Sequence, residues 1–248
     1  MYQDVLALFA TIANAVGAGL RNIDDWGPSG QRDGQYAADL VADHIVLDAL
    51  GAAGYDVLSE ESGLTLRGGH SIVMVDPLDG STNASHGVPW YATSLCLVNE
   101  AGDAVAALVR NQADGTTYTA SLGNGAWCGP DRLWSTECSD VGEAFIGLSG
   151  LPPRHLGWRQ FRAFGAVALD LCLVASGSLD GFIDCSVDAH GVWDYAAGLL
   201  ICHEAGATVL DALGRDLLVR DPDQKRTPVA AATPQLMEQL LAARRSFE

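Results

Sequence analysis

Asp76-Pro77-Leu78-Asp79-Gly80-Ser81-Thr82-Asn83 packs more chemistry into eight residues than any other stretch of this 248-residue chain. Two carboxylates stand three residues apart. Pro77 fixes φ and removes one backbone donor, and Gly80 lets the chain bend sharply. Ser81 and Thr82 follow with hydroxyls and backbone N–H groups, which suit a helix start and an anion site. The octapeptide therefore offers carboxylates to a hard cation and donors to a phosphate. Carboxylates packed this closely repel each other unless a cation joins them. The plainer alternative is an Asp-Pro turn in which Asp79 caps a helix.

Two further acidic positions add to it. Glu60-Glu61-Ser62 ends a short apolar stretch, and alone it reads more readily as two solvated glutamates in a loop. Trp193-Asp194 opens a helical segment that ends at Glu204-Ala205-Gly206-Ala207, and alone Asp194 is an ordinary N-cap. Taken together, the three groups offer oxygen-only ligands, which select Mg²⁺, Mn²⁺ or Ca²⁺ over zinc.

The elements that must position these groups follow from periodicity. Val5, Leu8, Phe9, Ile12 and Val16 recur at helical spacing, and a second helix runs from about Tyr36 to Gly51. Asp56 to Ser59 reads as a short strand leading into Glu60. Ile72 to Val75 reads as a buried strand stopped by Asp76-Pro77. Tyr91 to Asn99 and Ala104 to Arg110 form a hairpin, with another strand near Thr116 to Ala120. The second half alternates: strands at Phe145–Leu148, Phe182–Cys185, Thr208–Leu210 and Val229–Ala232, and helices at Ala166–Ser176 and Asp194–Ala205. A last helix starts at Thr233-Pro234, an N-cap with proline in the first turn, and ends at Arg244 and Arg245. A helix-then-strands half joined to an alternating half suggests two subdomains, 1–140 and 141–248, meeting near Glu137 to Glu143.

Composition narrows the function classes. Hydrophobic residues make up 48% and charged residues 18%, as in a globular protein. Thirty-one acidic residues against 14 basic give a net charge of −17, and Lys225 is the one lysine. Such a chain has no basic footprint for nucleic acid or an anionic membrane. No apolar run approaches the length of a membrane span. Asp4 stands where a signal peptide carries positive charge. The six cysteines are scattered without a C-x-x-C pair, so reduced thiols and a cytoplasmic location are expected.

The order of these motifs resembles the inositol monophosphatase family of Mg²⁺-dependent, lithium-sensitive sugar phosphatases. The Glu60-Glu61 pair, the octapeptide, and Trp193-Asp194 leading to Glu204-Ala205-Gly206 all fit the family pattern. So do Gly123-x-Gly125-Ala126, and Arg162-x-x-Gly165 ahead of Val174-Ala175-x-Gly177-x-x-Asp180. The resemblance runs from about Asp33 to Ala232. It implies an α+β / α/β fold, a layered α-β-α-β-α sandwich of two subdomains with the active site between them.

By the same resemblance, Glu60, Asp76 and the backbone carbonyl of Leu78 hold a first Mg²⁺. Asp76, Asp79 and Asp194 hold a second, and Asp39 stands near a weaker third. Mn²⁺ is a possible substitute. Glu60, Asp79 and Thr82 form the catalytic set, with Glu60 and Thr82 orienting the attacking water. Gly80 and Ser81 give backbone N–H groups to the phosphate, and Asp184, Arg162, Thr82 and Asp194 contact the substrate, a small phosphorylated metabolite. A homodimer is implied as well. The chain departs from the pattern in three places. Arg32 is the nearest basic residue to a family lysine, Tyr36 lies where a threonine is usual, and extra residues including Asp188 and His190 follow Asp184. His190 reads as structural rather than catalytic. Within this chemistry the substrate alternatives are inositol or another polyol monophosphate, histidinol phosphate with Asp184 or Asp188 receiving its ammonium, and fructose 1,6-bisphosphate with Arg159 and Arg162 receiving its second phosphate. A 3′-nucleotidase would need a base-stacking signature, which is absent. A non-catalytic metal- or phospholigand-binding relative would be expected to have lost Asp79, Thr82 or Asp194.

Overall fold

A computed structural model describes residues 2–24 and 26–247. Along the chain, α1 (Gln3–Leu20) and α2 (Ala37–Ala52) precede β1 (Asp56–Ser59), β2 (Gly63–Thr65) and β3 (Ile72–Asp79). Then α3 (Ser81–Ser85) leads into β4 (Ala92–Val98), β5 (Ala104–Asn111), β6 (Thr117–Ser121), β7 (Ala126–Cys128) and β8 (Asp131–Arg132). The second half holds β9 (Phe145–Ser149), β10 (Gln160–Arg162), α4 (Val167–Ala175), β11 (Gly181–Asp184) and α5 (Val192–Glu204), followed by β12 (Thr208–Asp211), β13 (Pro228–Ala231) and α6 (Pro234–Arg245).

The strands make two sheets, one of eight in the order β2-β1-β3-β4-β5-β6-β7-β8 and one of five in the order β10-β9-β11-β13-β12. In the first, only β1 and β3 run parallel. Its central strands are apolar throughout because both faces are covered. Val73, Val75, Leu95 and Leu108 pack against Phe9, Ile12 and Val16 of α1 and Ala42 and Val46 of α2. The alternate residues Met74, Cys96, Ala107 and Val109 pack against α4 and α5. Those two helices also meet Phe182 and Ala230 of the second sheet in the same core cluster. α6 closes the far side, with Leu236 and Leu240 on Ile146, Ile183 and Val229. The layers are thus α-β-α-β-α, and the middle one belongs to both sheets.

Several sequence expectations need adjustment. β3 is not stopped at Asp76-Pro77 but continues to Asp79. A register shift between Asp76 and Asp79 absorbs Pro77, which has no ladder donor. The apolar content of α1 is greater than the sequence reading allowed. By length and composition alone α1 could span a bilayer, but Phe9, Ile12, Ala13, Val16 and Leu20 are buried against α2 and the first sheet. The final helix starts as expected, with the Thr233 hydroxyl accepting from the N–H of Leu236 at 3.2 Å.

Two motifs of the resemblance turn out to be structural ties. The Glu204 carboxylate accepts the N–H groups of Gly123 and Gly125, each at 2.7 Å. Asp180 accepts from the Thr136 hydroxyl at 2.6 Å and the N–H of Phe145 at 2.8 Å.

Candidate active site

Three elements deliver carboxylates to one point. β1 and β3 are parallel neighbours with Ser59 opposite Val75, so Glu60 and Asp76 emerge side by side at the same sheet edge. The first turn of α5, packed across the sheet face, brings Asp194 from 118 residues beyond Asp76. One carboxylate oxygen from each of Glu60, Asp76 and Asp194 lies within 4.8 Å of the others. Asp76 is 2% exposed and Asp79 8%.

Local hydrogen bonds aim each group. Asp76 Oδ1 accepts the N–H of Leu78 at 2.9 Å. Asp79 Oδ2 accepts the N–H of Ala168 at 2.7 Å. Asp79 therefore caps α4, which has no side-chain cap of its own, rather than the short helix that follows it. Asp194 is the third residue of α5 and not its N-cap. Its Oδ2 accepts from the N–H of Gly191 at 2.8 Å and lies 3.2 Å from His190 Nδ1. Among the described residues no lysine or arginine forms an ion pair with Glu60, Asp76, Asp79 or Asp194.

Unrelieved burial and like charge therefore act on the cluster. Burial first, then the charges of Asp194 and Glu61, push Glu60 up to about 8. Burial and the neighbouring carboxylates hold Asp76 and Asp79 well above the ordinary range. A hard divalent cation with oxygen ligands answers this arrangement, and the donor set of Glu60, Asp76 and Asp194 fits one. Asp79 stands at its edge, within electrostatic reach of Asp194 and Glu60. Leu78 is 3% exposed in β3. Asp39 lies outside the trio. It is the third residue of α2, its Oδ2 accepts the Tyr36 N–H at 2.8 Å, and burial raises it to about 6. Ser81, Glu61 and Arg32 are its neighbours.

Beside the carboxylates the octapeptide turns. Gly80 has φ +83°, and a Cβ there would meet the Trp90 carbonyl at 2.9 Å. Asn83 Nδ2 donates to the carbonyls of Trp90 and Phe164, both at 2.8 Å, which fixes the turn against the Gly165 loop. The Tyr36 hydroxyl donates to Thr82 Oγ1 at 3.4 Å. On the Glu60 side of the cluster a cavity of about 690 Å³ opens, lined by Arg32, Ser59, Glu60, Glu61, Trp193 and Lys225 among others. Arg32 is paired with Glu61 at 2.8 Å, and Gln35 also donates to Glu61. Lys225 Nζ rests 4.1 Å from the centre of the Trp193 ring.

Not every expected residue arrives. Asp184 has no exposed surface; Ser186 N–H binds one oxygen and His190 stands 3.6 Å from the other. A ligand cannot reach it without displacing that histidine. Arg162 lies on β10 at the edge of the second sheet, 4.9 Å from the Phe145 ring centre, its Nη1 donating to the Phe161 carbonyl. Among the described residues it makes no contact with the acidic cluster. Asp188 is paired with Arg215 at 2.7 Å. Sequence reasoning passed over Asp170, which is 1% exposed and accepts from Trp90 Nε1 at 2.8 Å. A lone carboxylate inside the apolar run of α4 was the available signal.

A five-layer fold around buried carboxylates that, among the described residues, no lysine or arginine pairs with defines an α-β-α-β-α scaffold with a candidate cation site. Comparison with known proteins makes this specific: the model of the inositol monophosphatase family matches residues 5–248, and the chain belongs to that family. A fructose-1,6-bisphosphatase/inositol-1-monophosphatase of Archaeoglobus fulgidus is 36% identical over 210 residues, 83% of this chain and 81% of the relative. A putative Nus factor SuhB of Neisseria meningitidis serogroup B is 35% identical over 183 residues, 68% of this chain and 66% of the relative. A solved structure from Pyrococcus horikoshii, described as similar to inositol-1 monophosphatase, superposes with a TM-score of 0.84 at 27% identity, covering 95% of this chain and 97% of that one.

Proposed function

We propose that this chain is a Mg²⁺-dependent phosphatase that hydrolyses a small phosphate monoester, inositol monophosphate or a similar polyol phosphate. The observation that carries this reading is the meeting of Glu60, Asp76 and Asp194 within 4.8 Å, with no lysine or arginine paired to them among the described residues, beside the Gly80-Ser81-Thr82 turn. Glu60, Asp76 and the Leu78 carbonyl hold a first ion and Asp76, Asp79 and Asp194 a second, with Asp39 on the flank for a weaker third. When bound, Mg²⁺ supplies charge stabilisation to the attacking and leaving oxygens of an in-line displacement. Glu60 and the Thr82 hydroxyl hold and orient the attacking water. The N–H groups of Gly80 and Ser81 bind the phosphate oxygens. A phosphate dianion is repelled by a −17 chain, so these local donors and cations must neutralise the pocket.

Fructose 1,6-bisphosphate is the second reading, favoured by the dual name of the Archaeoglobus relative. Arg159 and Arg162 are poorly disposed for its second phosphate, since Arg159 faces Glu143 at 3.4 Å and Arg162 stacks on Phe145. Histidinol phosphate loses support, because Asp184 is buried and Asp188 already holds Arg215. The same reading carries Mn²⁺ as a substitute, lithium sensitivity, a homodimer and a cytoplasmic location. Six free thiols accord with the last of these. The experiment is phosphate release from inositol 1-phosphate, histidinol phosphate, fructose 1,6-bisphosphate and adenosine 3′,5′-bisphosphate, with Mg²⁺ and with chelator. Mg²⁺-dependent turnover of the first is expected. No turnover of any of them, in protein that still binds Mg²⁺, would overturn the reading.

A further inference from the structure

The segment between β11 and α5 carries His190, which the catalytic scheme above does not use. We propose that His190 is a positioning residue that fixes the carboxylate of Asp194 for cation binding. This rests on the reading of Asp194 as a metal ligand.

The imidazole is 14% exposed and held at both nitrogens. Nδ1 lies 3.2 Å from Asp194 Oδ2, and a carboxylate can only accept, so Nδ1 donates. Nε2 lies 3.1 Å from Ser149 Oγ at the end of β9 and 3.6 Å from Asp184 Oδ2 at the end of β11. That Asp184 oxygen is buried and has no hydrogen bond of its own, so His190 is the polar group that faces it. The backbone is clamped as well. His190 N–H donates to the Arg226 carbonyl at 3.2 Å, and Arg226 N–H donates to the His190 carbonyl at 2.8 Å.

Two residues earlier Asp188 takes φ +50°, the one described non-glycine residue in the left-handed region. Such a conformation persists only where its surroundings over-determine it. Here the Asp188 N–H donates to Thr227 Oγ1 at 3.0 Å and its carboxylate holds Arg215 at 2.7 Å. The turn it creates brings the chain back over the start of α5. Asp194 Oδ2 thus receives two donors, Gly191 N–H and His190 Nδ1, and the carboxylate plane is fixed relative to Glu60 and Asp76. Groups behind a ligand that orient it in this way typically matter about 10- to 100-fold in metal affinity.

The test is calorimetric titration of metal-free protein with MgCl₂, alongside thermal melts without metal. Asparagine presents its amide where histidine has Nδ1, and glutamine where it has Nε2. His190→Ala should weaken Mg²⁺ binding about tenfold, His190→Asn should recover most of it, and His190→Gln little. Unchanged Mg²⁺ affinity in folded His190→Ala, or equal affinity in all three variants, would overturn the proposal, even if their melting temperatures fall. Asp194→Asn in the same titration separates the two levels: if it binds Mg²⁺ like the parent, the metal-site reading itself fails. Should His190→Ala not fold, Ser149→Ala decides. About threefold weaker binding supports the proposal, and unchanged binding overturns it.

Discussion

Asp76 and Asp211 are almost equally buried, at 2% and 3% exposed, yet they end in opposite electrostatic states. Burial works against ionisation of Asp211, at the end of β12, but hydrogen bonds outweigh it. Arg215 donates through Nε at 2.7 Å and Nη2 at 2.9 Å, and Thr227 N–H donates at 2.9 Å. The Asp211 carboxyl is held below its ordinary pKa. Burial above all, then the charges of Glu60, Asp79 and Asp194, pushes Asp76 well above its ordinary pKa, and the Leu78 N–H it accepts offsets only part of this. The fold places an arginine beside one buried aspartate and none beside the other group. The first region is complete as folded. The second, on the proposed reading, is complete only when a cation comes from outside.

The largest effect should come from breaking the incomplete region. Asp79→Asn keeps an oxygen to accept the Ala168 N–H, so α4 stays capped and the fold stays intact. Removing the charge should lower phosphate release about a thousandfold, equivalent to about 4 kcal/mol of barrier. Activity within tenfold of the parent, with an unchanged melting temperature, would remove Asp79 from the site.

Arg215→Ala is the matching cut in the complete region. It strips Asp211 of its charge-assisted partner and frees Asp188, while backbone N–H groups still serve Asp211. A loss of about 2 kcal/mol of stability is expected in urea unfolding. Arg215 reaches Asp194 only indirectly, through the Asp188 turn, which the Asp188 N–H bond to Thr227 and the two His190–Arg226 backbone bonds also hold, so Mg²⁺ affinity should change less than stability. A loss of affinity as large as that of His190→Ala would show that Arg215, rather than the remaining backbone bonds, holds the Asp188 turn.

Metal-free stability should also carry the signature of the incomplete region. Asp39, Asp170 and Glu60 have pKa values raised to about 6, 7 and 8 from 3.8, 3.8 and 4.5. Groups raised in the folded state contribute stability below the unfolded pKa and lose it as pH climbs through the folded one. Chelated protein should therefore melt on the order of 5 °C lower at pH 8.5 than at pH 5. Mg²⁺ should restore more at pH 8.5, where the cluster carboxylates are ionised. Equal melting temperatures across this range would contradict the assigned crowding.

How much of this was readable beforehand differs by element. Long periodic helices and the strands buried on both faces follow from their apolar pattern, and their expected limits fall close to the observed ones. The short β2, β7, β8 and β10 were not anticipated, because two or three residues carry no period, and α3 was legible only as a helix start at Ser81-Thr82. The octapeptide, Glu60 and Asp194 could be singled out because carboxylate chemistry is explicit in residue type and spacing. Their convergence was not, since the pairing of β1 with β3 and the lie of α5 depend on tertiary packing. Asp184 misled for the same reason: position before Trp193-Asp194 says nothing of the histidine that folds back across it.

The smallest effect tests how far α5 transmits disturbance between its ends. Glu204, in its last turn, faces the unfavourable end of the helix dipole, and two backbone N–H bonds from Gly123 and Gly125 offset that cost. Glu204→Gln retains one acceptor oxygen and removes the charge. One bond should be lost and the other weakened, a cost of about 1 kcal/mol in urea unfolding. Asp194 sits three turns away at the other end of the same helix, in a layer gripped by both sheets. Phosphate release and Mg²⁺ affinity should therefore stay within about twofold of the parent, well inside the 1.4 kcal/mol that a tenfold change represents. A larger fall in Mg²⁺ affinity, with stability only slightly reduced, would mean that α5 shifts as a rod, and that the turn between β6 and β7 helps set the metal centre.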